Sequence, residues 1–429
     1  MGSVVLFASL LLMIIMGIPI AIALGLSSCI TIICFDTATP LLNVRSIVTA
    51  VQSYPLLAIP LFILAGELMA TGGLSKRLVA LVDAWMCRIE ASLAYATVVA
   101  STFFAAISGS GPATVAAIGS NIVPEMEKRG YPKAYGTALS AASGIVGVLI
   151  PPSIPFVMYG ISSEESISTL FMAGIIPGLL FSVAFCIVAK RIYKKRDIQV
   201  EKVEFDLTNA WNATIDGIWA IICPIIVLGS IYGGICSPTE AAAVSVVYAI
   251  VIGMFVYREL KWADLVNAFA SAAKTTATCM GLVAFAATFS RLLTLDQVTV
   301  KVASFIMGLT TSRILVLILV NVLLILVGMF METVSSIIIL TPILLPVVEA
   351  YGVKPVHFGI IMTANLAIGF CTPPLGVNLF VASGISGLSV EKIVKEILPY
   401  LATMIVVLLL ITFIPDLSLL LPRILAAKG

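Results

Sequence analysis

Residues 107–131 read ISGSGPATVAAIGSNIVPEMEKRGY and residues 144–155 read GIVGVLIPPSIP. Later in the chain, residues 330–352 read FMETVSSIIILTPILLPVVEAYG and residues 367–376 read AIGFCTPPLG. Each pair sets a polar, Gly/Ser/Thr-bearing interruption inside one apolar segment and a Gly-x-x-x-Pro-Pro interruption inside the next. An offset of 222 residues superposes Pro124 on Pro346, Glu127 on Glu349, Gly130 on Gly352, Gly147 on Gly369 and Pro151–Pro152 on Pro373–Pro374. Interrupted helices at corresponding positions of two halves are the sequence mark of a mid-membrane binding site in a transporter.

The composition around these stretches places the chain in a membrane. Of 429 residues, 60% are hydrophobic and 11% charged, with mean hydropathy +1.16; soluble domains carry roughly 45–50% and about 25%. Apolar runs of about 20 residues, enough to cross a hydrocarbon core roughly 30 Å thick, recur along the chain. A net charge of +2 leaves no footprint for nucleic acid, and no such partner is expected. The first apolar stretch, 4–34, lacks a basic leader and a small-residue cleavage site, so one retained helix is expected there. The eight cysteines include no Cys-x-x-Cys pair and sit in or beside apolar segments as small hydrophobes, so neither disulfide nor metal is expected of them. The lone His357 is expected to be an interfacial side chain.

Charge gives an orientation. Lys190, Arg191, Lys194, Lys195 and Arg196 directly follow an apolar span, which puts the basic loop 190–204 in the cytoplasm. Counting backwards, 166–189 runs inward, 134–160 outward, and loop 125–133 is cytoplasmic. With a re-entrant hairpin turning at 108–111, stretch 76–90 is cytoplasmic too, 55–72 enters from outside, and the N-terminus lies inside. Counting forwards, spans at 207–231 and 239–257 return the chain to the cytoplasm at 258–264. Span 276–293 leads out, a second hairpin over 314–348 opens from outside, 356–386 leads in, and 398–414 leaves the C-terminus in the periplasm. Most of the 24 Lys and Arg then fall on the cytoplasmic side. One hairpin opens to each side, so the repeat is an inverted one, about an axis in the membrane plane.

The expected fold is therefore an all-α polytopic membrane protein whose inverted repeats each hold a re-entrant helical hairpin and a broken transmembrane helix. Its parts are an N-terminal scaffold helix with linker (1–54), a first repeat unit (55–165), central scaffold helices (166–275), a second repeat unit (276–387) and a C-terminal helix (388–429). Stretches 74–90 and 296–313 read as interfacial arms.

A helix that stops within a bilayer must satisfy its free N–H and C=O groups without water, so its ends are buried in protein or line a wet cavity. Glycine permits close approach and proline removes a donor, and carbonyls freed beside the double prolines can face a cation. One Pro-Pro alone is a structural kink, but two in register with two polar hairpin tips point to sites. Two Na⁺ sites are expected: Ser108, Ser110, Gly147, Ile150 and Pro151 in one, Gly328, Thr333, Gly369, Thr372 and Pro373 in the other. Between them, helix N-termini attract carboxylates, with Ser110, Gly111, Ser153 and Asn378 as donors to the substrate. Glu332, an ionisable group in an apolar segment, is functional by default. Glu67 serves equally as a packing partner or a transport residue, and Glu240, in Ser-Pro-Thr-Glu, reads as part of a helix start.

At these residues the chain resembles the large membrane subunit of tripartite ATP-independent periplasmic (TRAP) transporters. The resembling blocks are SGSGPATVAAIGSNIVPEM, GVLIPPSIPFVMYG, GGICSPTEAAAVSVVYA and GFCTPPLGVNLFVASG, which sit along nearly the whole chain. The resemblance implies Na⁺-coupled uptake of a carboxylate-bearing solute by an elevator-type motion across the bacterial inner membrane, with two or more Na⁺ ions. It implies as partners a periplasmic substrate-binding protein and a small four-helix membrane subunit, here on a separate chain because no such region precedes the first unit. It carries cation binding onto Ser108, Ser110, Gly147, Pro151, Thr372 and Pro373, and the solute onto organic acids of the C4-dicarboxylate or sialic acid class; neutral donors beside Glu332 lean toward a sugar acid. Two rivals stay open at this point: a self-sufficient elevator-type Na⁺/anion symporter, and an ion channel with re-entrant filter loops. No Ser/His or paired-Asp constellation at membrane depth points to an enzyme.

Overall fold

The computed structural model describes residues 2–35, 39–198, 200 and 205–426. Among these every regular element is helical, and eight helices are long and apolar enough to cross a membrane. Where the sequence predicts interruptions, the helices stop. Ser92–Ser108 ends at Gly109, whose left-handed backbone (φ +60°) lets its amide cap Ala105 O, and Gly111–Lys128 starts two residues on. These two helices pack together as hairpin 1. Hairpin 2 is Arg313–Phe330 and Thr333–Ala350, joined by Met331 and Glu332. Broken helix 1 runs Lys133–Ser143, tightens into a 3₁₀ turn over Gly144–Val148, breaks at the prolines and resumes at Ile154–Ser163. Broken helix 2 is Pro355–Gly369 and Val377–Ser386. Both Pro-Pro bonds are cis.

The offset of 222 carries Gly111–Lys128 onto Thr333–Ala350 at both ends, and it reaches further than the expected units. It places Ile167–Lys195 against Val390–Phe413, with an internal proline at matched positions, Pro177 and Pro399. It also places Pro40 at Trp262, so the helices Pro40–Val51 and Ala58–Thr71 together match the single helix Trp262–Leu295. Pro55 interrupts the first version; the second has no proline there. The repeat thus extends past 165 and 387, where the two helices keep only that proline in common as a sequence mark.

Packing between the halves is reciprocal. Ile154–Ser163 lies on Thr333–Ala350, and its counterpart Val377–Ser386 lies on Gly111–Lys128. Likewise Val390–Phe413 lies on Lys133–Ser143 while Ile167–Lys195 lies on Pro355–Gly369. Contacts of this exchanged kind are what a two-fold axis produces, so the halves interlock about a pseudo-two-fold. Between apolar helices in lipid, close approach of small residues supplies the attraction. A Cβ on Gly174 would run into Leu149 O, and one on Gly178 would sit 2.5 Å from the Ile150 side chain, so these two glycines bring Ile167–Lys195 down onto the first break.

Three further expectations change. Stretch 4–34 is two helices, Gly2–Ile15 and Ile20–Phe35, which turn back on one another at Gly17 (φ +77°) and Pro19. Segment 1–54 accordingly holds three helices rather than one, the third being Pro40–Val51. His357 is 1% exposed and lies between Ser418 Oγ (3.2 Å from Nδ1) and Thr412 O (3.3 Å from Nε2), pinning the start of broken helix 2 to the chain's last two helices instead of facing an interface.

Candidate transport site

Both hairpin tips line one cavity of about 910 Å³. Ser108 to Ala113 come from the first tip and Glu332 to Val334 from the second, with Phe370 and Val377 from either side of the second break. The Ala58–Thr71 helix adds another wall, and its Gly66 would place a Cβ 3.3 Å from the Ser108 backbone. The first tip can approach that helix because the residues there are small. The cavity then runs along Gly111–Lys128 to Ser120 and Asn121, reaching Lys76 and Glu259.

At the first tip, oxygen atoms converge. Thr114 Oγ1 donates to Ser110 O (2.8 Å) and lies 3.0 Å from Ser108 Oγ. A Cβ on Gly147 would sit 2.6 Å from both Ser110 O and Thr114 Oγ1, so the glycine leaves open the space against this oxygen cluster. The tip is fastened to the far side of the break by Ile154 N donating to Gly109 O (3.2 Å). An all-oxygen set of hydroxyls and carbonyls suits a hard cation. Ser108, Ser110 and Gly147 therefore meet as expected. Ile150 and Pro151, of which the backbone carbonyls are the expected ligands, are both buried, with the Ile150 side chain packed on Gly178. Thr114 was missed; its signal is the hydroxyl one helical turn after Ser110, placed to hold the tip carbonyl.

At the second tip, Gly369 lies in backbone contact with Gly328, where any Cβ would overlap the Gly328 carbonyl. Thr333 Oγ1 is buried without a hydrogen-bond partner, an arrangement that is costly unless a ligand completes it. Thr372 lies close by in sequence, its hydroxyl donating to Ile368 O (2.9 Å), and Pro373 follows at intermediate exposure. The Ser336 hydroxyl donates to Glu332 O (2.9 Å), the same bond as Thr114 to Ser110 at the same offset. The two tips thus share this bond.

Of the substrate residues, Ser110, Gly111 and Glu332 line the cavity. Two helix N-termini open there, at Ser110–Gly111 and at Glu332–Thr333. Ser153 and Asn378 are fully buried and absent from its walls. Ser153 Oγ donates to Val148 O (2.6 Å) and accepts from Phe156 N (3.3 Å), so it caps the resumed helix and has no donor left for a solute. Asn378 Nδ2 donates to Ala141 O (3.1 Å), tying the second break to broken helix 1. Sequence reasoning gave no cavity role to Lys76, Asn121 or Glu259; all three arrive by tertiary folding. Glu67, for which a packing and a transport role stand open, lines the cavity and accepts from Ser271 Oγ (3.2 Å). Glu240 closes a capping box with Ser237 (Ser237 N to Oε2, 2.7 Å), a helix start as read.

Interlocked helical repeats with interrupted helices at the floor of a shared cavity define a polytopic membrane transport protein. Solved structures agree at the level of fold: the YdaH transporter of Alcanivorax borkumensis (TM-score 0.56, 15% identity, 83% of this chain and 86% of that one) and MtrF of Neisseria gonorrhoeae (TM-score 0.52, 13% identity, 85% and 82%). The chain belongs to the family described as tripartite ATP-independent periplasmic transporter, DctM component, whose model matches residues 7–417. It is 48% identical over 412 residues to an isethionate TRAP transporter permease protein, DctMQ, of Oleidesulfovibrio alaskensis, covering 96% of this chain and 65% of that one. It is 37% identical to the C4-dicarboxylate TRAP transporter large permease protein of Rhodobacter capsulatus (99% and 100% covered). Identity to the 2,3-diketo-L-gulonate large permease of Escherichia coli is also 37% (94% and 95%). These relatives are permeases, and the chain is not an enzyme.

Proposed function

We propose that this chain is the transport subunit of a TRAP system, performing Na⁺-coupled uptake of a small organic acid across the bacterial inner membrane by an elevator-type motion. The observation that carries the reading is the single cavity lined by both hairpin tips, each tip with a hydroxyl that donates to its carbonyl at one offset, Thr114 to Ser110 and Ser336 to Glu332. Each leaves backbone carbonyls and hydroxyls beside the cavity, the donor chemistry of a weakly held monovalent cation. The solute would lie between the tips with its acidic group toward the N-terminus at Ser110 and Gly111, where amide dipoles favour negative charge. The names of the relatives favour a small anion, such as a C4-dicarboxylate, a keto sugar acid or isethionate, over a solute as large as sialic acid. On the charge-derived orientation both hairpins are re-entrant, the N-terminus is cytoplasmic, the C-terminus is periplasmic, and the cavity, reaching Lys76, opens inward. The partners would be a periplasmic binding protein and a small four-helix membrane subunit on its own chain.

The test is reconstitution into liposomes under an imposed Na⁺ gradient, with and without a small subunit and a solute-loaded binding protein. Uptake is expected only with all components and inward Na⁺. Transport by this chain alone would favour a self-sufficient symporter, and conductance without coupling would favour a channel. Uptake indifferent to Na⁺ would remove both cation sites.

A further inference from the structure

A second cavity, of about 680 Å³, lies away from the transport site, between the first helix of hairpin 1 and the helix Ile167–Lys195. Its walls are apolar and open to the surroundings: Phe103, Leu179, Val183 and Ile187 are 36–57% exposed. On its floor, the polar pair Thr102 and Ser182 satisfy each other (2.8 Å), so nothing in the apolar part asks for a polar guest. The end is different. Lys190 and Arg191 close the groove there, both exposed and with no ion pair among the described residues, whereas the next cation along, Lys194, is paired to Glu90 at 3.3 Å.

From Lys190 to Leu179 the helix rises about 16 Å at 1.5 Å per residue, close to half of a hydrocarbon core about 30 Å thick. The groove is therefore one leaflet deep, with two unpaired cations where headgroups lie. Basic pockets between membrane helices recruit anionic headgroups, each surface cation contributing measurably. A partner protein's helix would more naturally run past the leaflet midplane and bring acids for both cations.

We propose that this groove is a binding site for an anionic phospholipid, its phosphate held by Lys190 and Arg191 and one acyl chain lying along Val183 and Ile187 toward Leu179. The site is independent of substrate and of Na⁺ coupling, and needs only that the chain span a membrane.

The experiment is native mass spectrometry of the delipidated full chain titrated with dioleoyl-phosphatidylglycerol, dioleoyl-phosphatidylcholine or chainless sn-glycerol 3-phosphate. Phosphatidylglycerol is expected to bind in preference to phosphatidylcholine. The double variant Lys190→Gln/Arg191→Gln should weaken it roughly thirtyfold, from the contribution of two surface cations. Val183→Trp, which fills the groove and leaves the cations, should lose both lipids, and sn-glycerol 3-phosphate should not compete. Equal binding of the two lipids, or unchanged phosphatidylglycerol binding in the double variant, overturns the proposal. Competition by sn-glycerol 3-phosphate would make it a soluble-phosphate site. Loss of a co-purified small subunit from Val183→Trp, with phosphatidylglycerol still bound, would make the groove a protein interface.

Discussion

Hairpins 1 and 2 have second helices that start and stop at equivalent residues, yet their tips are chemically unlike. Gly109-Ser110-Gly111 is neutral and small, and the break behind it, Gly147 to Ser153, is buried throughout. Met331-Glu332-Thr333 places a carboxylate at the helix N-terminus and a partnerless hydroxyl one residue on, and Pro374 and Leu375 of its break are exposed. The cause lies in the covering helices. Gly174 and Gly178 let Ile167–Lys195 settle on the first break, whereas the same positions of Val390–Phe413 hold Glu396 and Tyr400. One plan thus yields a closed, anchored half that offers a free helix dipole and an open half that offers unsatisfied oxygen. On the proposed function, the solute's negative charge would sit at the first tip and the cation that responds to occupancy at the second.

The largest expected effect separates the two glycine contacts. Gly369→Ala drives a methyl into the Gly328 carbonyl, which has no flexible end to move, and overpacking of this kind costs about 1–3 kcal/mol. Uptake in proteoliposomes should fall about a hundredfold, with a monodisperse protein in detergent as the control for folding. Gly147→Ala meets the Thr114 hydroxyl, which can rotate, as well as Ser110 O, and should lose about tenfold. Parent-like uptake by Gly369→Ala would remove the second site.

The tips themselves can be exchanged. Ser110→Glu would copy the second tip onto the first and occupy the dipole with a fixed carboxylate, an effect of up to about 2 kcal/mol. The solute concentration for half-maximal uptake should rise roughly thirtyfold, a larger change than in that for Na⁺. Glu332→Gln should do the reverse, raising the Na⁺ requirement about tenfold. If both variants shift the same parameter, the division of labour between the tips is wrong.

How much of this was legible depends on whether local chemistry or packing decided it. The interruptions showed because Gly-Ser-Gly and Gly-x-x-x-Pro-Pro break a helix wherever they occur. Gly17 and Pro19 do the same, but in stretch 4–34 they lie within an uninterrupted apolar run, and hydropathy masked the turn. The match of Ile167–Lys195 to Val390–Phe413 was hidden because lipid-facing positions accept any large apolar residue, so only Pro177 and Pro399 keep a trace. Ser153 shows the limit at the site. A serine after a double proline offers a donor to a solute or caps the next helix, and only the 2.6 Å bond to Val148 O shows that it caps.

A smaller effect tests whether the shared bond is structural plan or site chemistry. Thr114→Val and Ser336→Ala each remove a hydroxyl that holds a tip carbonyl in place, a net hydrogen bond of about 1 kcal/mol. Na⁺ affinity should fall about fivefold in each. A loss confined to Thr114→Val would mean that only the first tip uses its carbonyl.

The mildest test lies where each hairpin joins the arm helix before it. Arg129, one residue past hairpin 1, grips Asp83 of the arm Leu74–Met86 with two bonds (3.1 and 2.6 Å) and also reaches Glu125 at 3.0 Å. At the same offset Tyr351 donates to Thr310 O (2.7 Å), just beyond the second arm, Val298–Leu309. Among the described residues the first hairpin is tied to its arm by charge and the second by one neutral bond. Asp83 and Arg129 are 17% and 16% exposed, so their coupling exceeds that of a surface pair yet stays partly screened, at about 1–2 kcal/mol in a double-mutant cycle. Tyr351→Phe should cost about 1 kcal/mol. The arm that holds by a neutral bond should release its hairpin more readily, so hydrogen exchange over 333–350 should exceed that over 111–128. Asp83→Asn should bring the first hairpin toward the second, leaving uptake within about twofold of the parent. Equal exchange in the parent chain would show that the two ties, unlike in chemistry, hold equally firmly.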